Sequence, residues 1–163
     1  MTDQESLVAA RLRELGIEYT RHEHPPVATV EEANAHWSGI DAIHCKNLFL
    51  RNQKGSRHYL VVLMASKRAD LRAVAEQIGD GKLSFASPER LMTYLRVTPG
   101  SVSPFGLIHD RDHAVHVALD RDFQTATRLA FHPNINTRTF TIAAADFKKF
   151  LDACGNTVQY VSV

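Results

Sequence analysis

Apolar residues recur at helical spacing in several parts of the chain. Positions 7, 10, 12 and 15 are apolar and the run stops at a glycine, which predicts an amphipathic helix near the start. A second helix is predicted over residues 70–78, again closed by a glycine. A third begins at Ser87 and Pro88 and ends near residue 95, because serine is a good N-cap and proline fits a first turn. Residues 146–153 predict a last long helix.

Segments of strand length separate these helices. Residues 44–51 and 58–64 are apolar runs joined by a polar, glycine-containing connector, which predicts a β-hairpin. Four further runs are typical of strands: residues 17–22, 113–119, 127–131 and 137–142. Because strands and helices do not alternate strictly, we expect an α/β fold with one mixed sheet under about five helices. We also expect a single domain over residues 1–163.

Two proline-rich segments interrupt this pattern. Pro25 and Pro26 break the chain, and residues 29–32 then have the form of a capping box, which predicts a short helix. Residues 98–106 contain two prolines and two glycines, too many for a helix or a central strand. We therefore expect an ordered loop there.

Composition narrows the class of protein. The 163 residues are 44% apolar and 23% charged with a net charge of +1, which excludes disordered and fibrous chains. A chain with so little net charge has no overall electrostatic attraction to nucleic acid or to a membrane. Cys45 and Cys154 are too few for a disulfide framework and fit a reducing compartment. Since no segment resembles a signal peptide or a membrane span, we expect a cytoplasmic protein without a membrane partner.

Lys46 and Asn47 form the first candidate for chemistry, because they stand at the front of a strongly apolar strand. Polar residues in such a strand belong at an exposed end or in a cavity. The alternative is an ordinary strand-end lysine in solvent. Alternation predicts that the two side chains point to opposite faces unless a bulge intervenes. Cys45 is either a thiol activated by Lys46 or a free buried cysteine.

The loop 100–104 is the second candidate. Glycine permits unusual backbone angles and the flanking prolines stiffen the chain, so successive amide N–H groups can point into one concavity and bind an oxyanion. A plain structural turn is the alternative. The two serines here do not form the G-x-S-x-G elbow of a serine hydrolase.

His132, after a predicted strand and before a proline, is the third candidate. Its unperturbed pKa lies near neutrality, so it can orient a substrate group or move a proton. Two other histidine pairs, 22/24 and 113/116, lack the sequence context of a zinc site. We therefore expect no metal.

These three motifs, in this order and at these separations, resemble the YbaK/ProX family of aminoacyl-tRNA editing domains. The resemblance runs from about residue 15 to residue 151 and implies a YbaK-like mixed, largely antiparallel sheet. No synthetase catalytic or anticodon-binding region accompanies the motifs, which favours a freestanding member that edits in trans. The stretches Pro-Phe-Gly-Leu and Ser-Phe-Ala-Ser-Pro-Glu-Arg-Leu are most similar to the branch that deacylates Ala-tRNA(Pro).

The resemblance implies hydrolysis of the ester between an amino acid and the terminal adenosine of a mischarged tRNA. Lys46 matches the family's essential lysine, Asn47 its neighbour and His132 the histidine that lines the pocket. A ribose hydroxyl helps water to attack while backbone amides stabilise the oxyanion, so no protein nucleophile, metal or organic cofactor is implied. The amides belong to the family's G-x-x-x-P loop, here Gly100, Ser101, Val102, Ser103 and Pro104.

Substrate contacts are expected near these motifs. Rejection of the larger cognate proline requires a small pocket, for which the candidates are Ile43, His44, Phe105 and Gly106. Acceptor-stem phosphates require local cations, for which the candidates are Arg51, Lys67, Arg68, Arg72 and Lys82.

The expected partner is thus the acceptor end of tRNA(Pro), with prolyl-tRNA synthetase as a possible second partner. Two alternatives stay open. The same chemistry can serve Cys- or Ser-charged tRNA, and the fold can serve as a non-catalytic tRNA- or synthetase-binding module.

Overall fold

Five α-helices form in the part of the chain that the computed structural model describes, residues 3–26, 29–37 and 39–163. They are α1 (Asp3–Glu14), α2 (Val30–Trp37), α3 (Leu71–Ile78), α4 (Pro88–Leu95) and α5 (Ala144–Cys154). Their ends follow the sequence signals. The Ser87 side chain accepts an N–H at the start of α4, and Gly79 and Gly155 end α3 and α5 in the left-handed conformation. Thr29 Oγ1 accepts the Glu32 N–H at 3.1 Å, as the capping box predicts.

Eight strands form one mixed sheet, ordered β1-β7-β6-β2-β3-β5-β8 with β4 beside β2. The strands are β1 (Thr20–Glu23), β2 (Ile43–Arg51), β3 (His58–Met64), β4 (Ser84–Phe85), β5 (Val115–Asp120), β6 (Arg128–Phe131), β7 (Arg138–Ala143) and β8 (Val158–Val161). Four pairings in the described chain are antiparallel and three are parallel. The predicted mixed, largely antiparallel sheet and the β2–β3 hairpin are therefore confirmed.

The sheet carries an apolar core on each face. Helices α1, α4 and α5 cover one face, where Phe49, Val117 and Phe140 are buried. Helix α3 covers the other face, where Leu50 and Val61 are buried. Residues 49 and 50 belong to different cores because side chains alternate along a strand.

The sheet divides along one edge of β2. Ile43 and His44 pair with β6, whereas Leu50 and Arg51 pair with β4 on the same edge. No described strand pairs with residues 45–48 on this edge, although β3 continues on the other. We call this opening the β2 gap; Lys46 and Asn47 lie in it.

Several short elements are absent from the sequence prediction. The two-residue β4 and the four-residue β8 are too short to give a clear alternating pattern. The loop 98–106 is ordered, as predicted, but contains the 3-10 helix Pro99–Ser101 and the start of a second, Pro104–His109. In the described ranges, no helix combines the length and the apolar character needed to cross a bilayer.

Candidate active site

One face of the sheet between β1 and β2 is polar. His44 of β2 lies opposite Ala130 of β6, which lies opposite Thr141 of β7. Paired residues point to the same side of a sheet, so alternation places a set of polar side chains together. This polar face consists of Thr20, His22, His44, Lys46, Arg128, Thr139 and Thr141. The reverse side carries the core around Phe140.

Lys46 is a half-buried cation at the end of the polar face. Burial, and secondarily the Arg68 guanidinium, lowers the pKa of Lys46. Arg68 is exposed on the loop between β3 and α3, whose Ala65 N–H donates to the His44 carbonyl at 2.8 Å. No described carboxylate pairs with either cation. The end of the polar face therefore carries positive charge that a ligand can neutralise.

His132 presents a neutral imidazole just beyond β6. Its Nδ1 lies 2.8 Å from the Arg138 carbonyl oxygen, which only accepts, so Nδ1 carries the hydrogen and Nε2 the lone pair. Burial lowers the pKa of His132, which favours the neutral form. The ring of His24 lies 5.7 Å away and is held by Thr139, 2.9 Å from its Nε2. His132 can therefore accept a hydrogen bond or a proton at Nε2.

The loop 100–104 lies against the segment that carries His132. A Cβ placed on Gly100 would lie 3.6 Å from Nδ2 of Asn136, which follows His132 by four residues. Gly100 is exposed and Val102 is half-buried, whereas the other three residues of the loop are buried. The loop and the His132 segment thus lie side by side, and His132 acts electrostatically on His44 of β2.

Three residues of this loop support the turn. The Ser101 N–H donates to the Thr98 carbonyl at 2.9 Å, and Ser103 Oγ accepts the Phe105 N–H at 3.1 Å. Ser101, Ser103 and Pro104 are all buried. Gly100 and Val102 are therefore the more exposed positions of the loop, and contact of Ser101, Ser103 and Pro104 with the substrate stays a prediction.

Lys46 and Asn47 point to opposite faces, as alternation predicts. Lys46 shares its face with His44, whereas Asn47 shares its face with the buried Cys45 and Phe49. The Asn47 Oδ1 is buried and accepts no hydrogen bond from the described residues. The β2 gap therefore has the Lys46 ammonium on one face of the strand and a buried, unpaired amide oxygen on the other.

Three residues predicted to narrow the pocket lie outside the polar face, and their contact with the substrate stays a prediction. Phe105 has no exposed surface and packs edge-on against Phe131 and Phe150 in the core. Gly106 is buried against α4, and a Cβ there would lie 2.9 Å from Leu95 Cβ. Ile43 lies beside Leu129 on the apolar side of the sheet, opposite His44. Proximity in sequence does not tell which face a strand residue takes.

His44 alone of that set lies on the polar face. The ring of Trp37 stacks on it with centroids 4.3 Å apart. Burial lowers the pKa of His44, with smaller contributions in the same direction from His22 and His132. The stacked rings of Trp37 and neutral His44 therefore border the polar face beside Lys46.

The cations predicted to contact acceptor-stem phosphates lie on different parts of the structure. Arg51 stands at the opposite end of β2 from the polar face and donates to the Asn52 carbonyl at 3.3 Å. Lys82 is exposed near α3. Lys67 bonds the buried Asp120 at 2.8 Å, which neutralises it. Of the cations proposed from sequence, Arg68 is the one that the structure places beside Lys46.

Cys45 is buried, and burial raises the pKa of its thiol, so the free buried cysteine is confirmed over the activated thiol.

Sequence reasoning missed the polar residues of β7. Thr139 and Thr141 alternate with Phe140 and Ile142, a period-2 signal that marks one polar and one apolar face. Within the described ranges, no three histidine, cysteine or carboxylate side chains are arranged to hold a metal ion.

A split α/β sheet with unpaired cations and neutral histidines among the described residues near the split offers donors suited to an anionic, carbonyl-bearing ligand. Residues 24–150 match the family model of the aminoacyl-tRNA editing domain. The chain belongs to the aminoacyl-tRNA editing domain family and is an aminoacyl-tRNA hydrolase.

Similar proteins agree with this family. The chain is 42% identical to the prolyl-tRNA editing protein ProX of Acetoanaerobium sticklandii, over 99% of this chain and 98% of that protein. It is 35% identical to the prolyl-tRNA synthetase associated domain-containing protein 1 of Danio rerio, over 93% of this chain and 83% of that protein. A crystal structure described as a candidate trans-editing enzyme for prolyl-tRNA synthetase shares the fold, with a TM-score of 0.74 at 20% identity; the match covers 100% of this chain and 99% of that one.

Proposed function

We propose that residues 1–163 form a single editing domain that hydrolyses Ala-tRNA(Pro) in trans, with prolyl-tRNA synthetase as a second partner. The observation that carries the proposal is the position of Lys46 in the β2 gap, on a polar face whose His44 senses the neutral His132, with the exposed Gly100 against the His132 segment. The name of the 42% identical relative, a prolyl-tRNA editing protein, supports tRNA(Pro) as the carrier.

The reaction uses fixed donors rather than a protein nucleophile. Water attacks the ester carbonyl carbon, the C–O bond to ribose breaks, and the ribose oxygen takes a proton. The ammonium of Lys46 and the amides of Gly100 and Val102 supply donors for the oxyanion, which needs them about 3 Å from its oxygen. A neighbouring ribose hydroxyl orients the water. His132 Nε2 accepts a hydrogen bond from the water or the substrate.

Selection of alanine over proline follows from rigid walls. The stacked Trp37 and His44 rings and the buried Thr139 and Thr141 leave little freedom to adapt to a larger side chain. A pocket of fixed shape rejects a ring by overlap, whereas extra affinity for a methyl group discriminates weakly.

Deacylation of tRNA(Pro) charged in turn with alanine, cysteine, serine or proline tests the proposal. We expect ester loss for alanine, with the proline ester spared. Lys46→Ala should lower kcat/KM by about 100-fold or more, because it removes a transition-state donor. Lys148→Ala, at an exposed position of α5, is the matched control and should keep full activity.

The other outcomes separate the alternatives. If the cysteine or serine ester is hydrolysed faster than the alanine ester, that amino acid and not alanine is the preferred substrate. Binding of tRNA without loss of any ester would favour the non-catalytic module. Full activity of Lys46→Ala would contradict the assigned role of the lysine.

A further inference from the structure

A second polar cavity lies outside the polar face and the β2 gap. It has a volume of about 470 Å³ and lies at the C-terminal end of α4. Its lining includes Arg96, His109, Arg111 and Asp112. We call it the α4 cavity.

Two guanidinium groups converge in the α4 cavity. Burial, and then the charges of Arg96 and Arg111, lower the pKa of His109, so both arginines act on one imidazole. Both arginines are exposed, and neither guanidinium forms an ion pair with a residue in the described ranges. Two positive charges therefore face the same space without compensation by a bound carboxylate.

The two carboxylates of the cavity form no ion pair with its two arginines among the described residues. Asp110 is buried and accepts the N–H groups of Ala114 at 3.1 Å and Val115 at 2.8 Å. It also accepts Nδ2 of Asn156 at 2.8 Å, so its oxygens are already occupied. Asp112 is the second carboxylate and is exposed, so two arginines and two aspartates leave the cavity without net charge, while both guanidinium groups stay available to a ligand.

Arg96 holds an unusual backbone conformation at this position. It ends α4 with φ 55° and ψ 37°, the left-handed region that glycine adopts without cost. A residue with a side chain pays about 1 kcal/mol there. The conformation ends the helix, since the Arg96 N–H donates to the Met92 carbonyl, and it turns the chain beside the cavity.

The α4 cavity is joined to the candidate active site by Gln4. The Gln4 Oε1 bonds His109 Nε2 at 3.0 Å and also accepts Nδ2 of Asn134 at 3.3 Å. Gln4 Nε2 donates to the Arg96 carbonyl at 3.3 Å. Because Asn134 follows His132 by two residues, Gln4 links the lining of the α4 cavity to the segment that carries His132.

We propose that the α4 cavity binds a backbone phosphate of the tRNA substrate through Arg96 and Arg111. This inference rests on the proposed function. Guanidinium groups match phosphate oxygens in charge and geometry, and the contact is independent of base sequence. The cavity thus holds the acceptor stem while the β2 gap holds the ester.

The test compares Arg96→Gln, Arg111→Gln and the double variant with Lys148→Gln, which removes one exposed charge from α5. Two substrates are used: Ala-tRNA(Pro), and the alanyl ester of adenosine, which has no backbone phosphate. We expect a higher KM for the tRNA and a salt dependence reduced by about one counterion per arginine. The kcat, and kcat/KM for the adenosine ester, should not change.

Each other outcome overturns the inference. If the arginine variants keep the wild-type KM and salt dependence for the tRNA, the two arginines do not contact a phosphate. If the variants lose the same fraction of kcat/KM on both substrates, the arginines act through the active site. Saturable binding of inorganic phosphate that the double variant loses, with an unchanged tRNA slope, identifies a free-anion site instead. If the wild type hydrolyses no ester, the proposed function fails, and the Kd for uncharged tRNA then tests the cavity by the same salt slopes.

Arg96→Gly separates binding from folding. Glycine relieves the left-handed strain, so this variant should unfold at a higher temperature than the wild type yet bind tRNA as weakly as Arg96→Gln. If Arg96→Gly binds tRNA with the wild-type Kd, the Arg96 side chain does not contribute to binding.

Discussion

The indole of Trp37 lies on the imidazole of His44 with ring centroids 4.3 Å apart and planes 13° from parallel. The contact joins the last residue of α2 to the polar face, two positions before Lys46. Trp37 is the one tryptophan of the chain, so its fluorescence reports on this contact alone.

Protonation of His44 should change that fluorescence. Because burial lowers the pKa of His44, its charge should appear only below about pH 6.5, the ordinary value for histidine. We expect a fluorescence transition with its midpoint below that pH. His44→Asn should abolish the transition, and a midpoint above pH 6.5 would contradict the burial of the ring.

Gly106→Ala should destabilise the fold. Its Cβ would lie 2.9 Å from Leu95 Cβ and 3.1 Å from the Leu95 carbonyl, so α4 must move away. Overpacking of this kind costs about 1–3 kcal/mol, measured as a lower free energy of unfolding in urea. Gly81→Ala is the control, since nothing lies within 4 Å of a Cβ there. Equal stability of the two variants would contradict the packing of α4 on this loop.

Gly100→Ala should separate activity from stability. A Cβ there lies 3.6 Å from Asn136 Nδ2, an ordinary contact, so the free energy of unfolding should change by less than about 0.5 kcal/mol. The added methyl group occupies space beside the amide proposed to contact the oxyanion, so kcat/KM should fall. Measurement of both quantities on one preparation checks this, and unchanged kcat/KM would exclude Gly100 from the site.

His58 should make stability depend on pH. It is 2% exposed, and its Nε2 accepts a hydrogen bond from Arg90 at 3.0 Å. Burial, followed by Arg90 and Arg51, lowers the pKa of His58. The unfolded chain, with a pKa of about 6.5, then binds more protons than the folded protein. The neutral imidazole thus contributes stability that is full above pH 6.5 and is lost as pH falls toward the folded pKa.

His58→Gln keeps an acceptor for Arg90 but cannot titrate. Its free energy of unfolding should fall less steeply between pH 7.5 and 5.5, by up to about 1.4 kcal/mol per pH unit. His36→Gln, at an exposed position of α2, is the control and should keep the wild-type pH dependence. A wild-type slope in His58→Gln would refute the assignment.

Helix ends and the facing of strand residues were predictable from the sequence because contacts within a few residues determine them. Serine and proline at the start of α4, and the glycines after α3 and α5, set helix ends through hydrogen bonds within a few residues. The opposite orientations of Lys46 and Asn47 followed from strand alternation in the same way.

Features that depend on distant contacts were not predictable from the same patterns. Phe105 reads as a pocket residue beside a loop, yet the core formed with Phe131 and Phe150 buries it. The α4 cavity joins the end of a helix to a segment thirteen residues later, which no periodic pattern marks.

The β2 gap also bears on aggregation. An open strand edge invites pairing with another chain, but the unpaired stretch 45–48 spans only about 13 Å at 3.3 Å per residue. Strands β6 and β4 close it at both ends, so an incoming strand of ordinary length does not fit. The protein can thus keep bare backbone at its working surface without becoming a template for polymerisation.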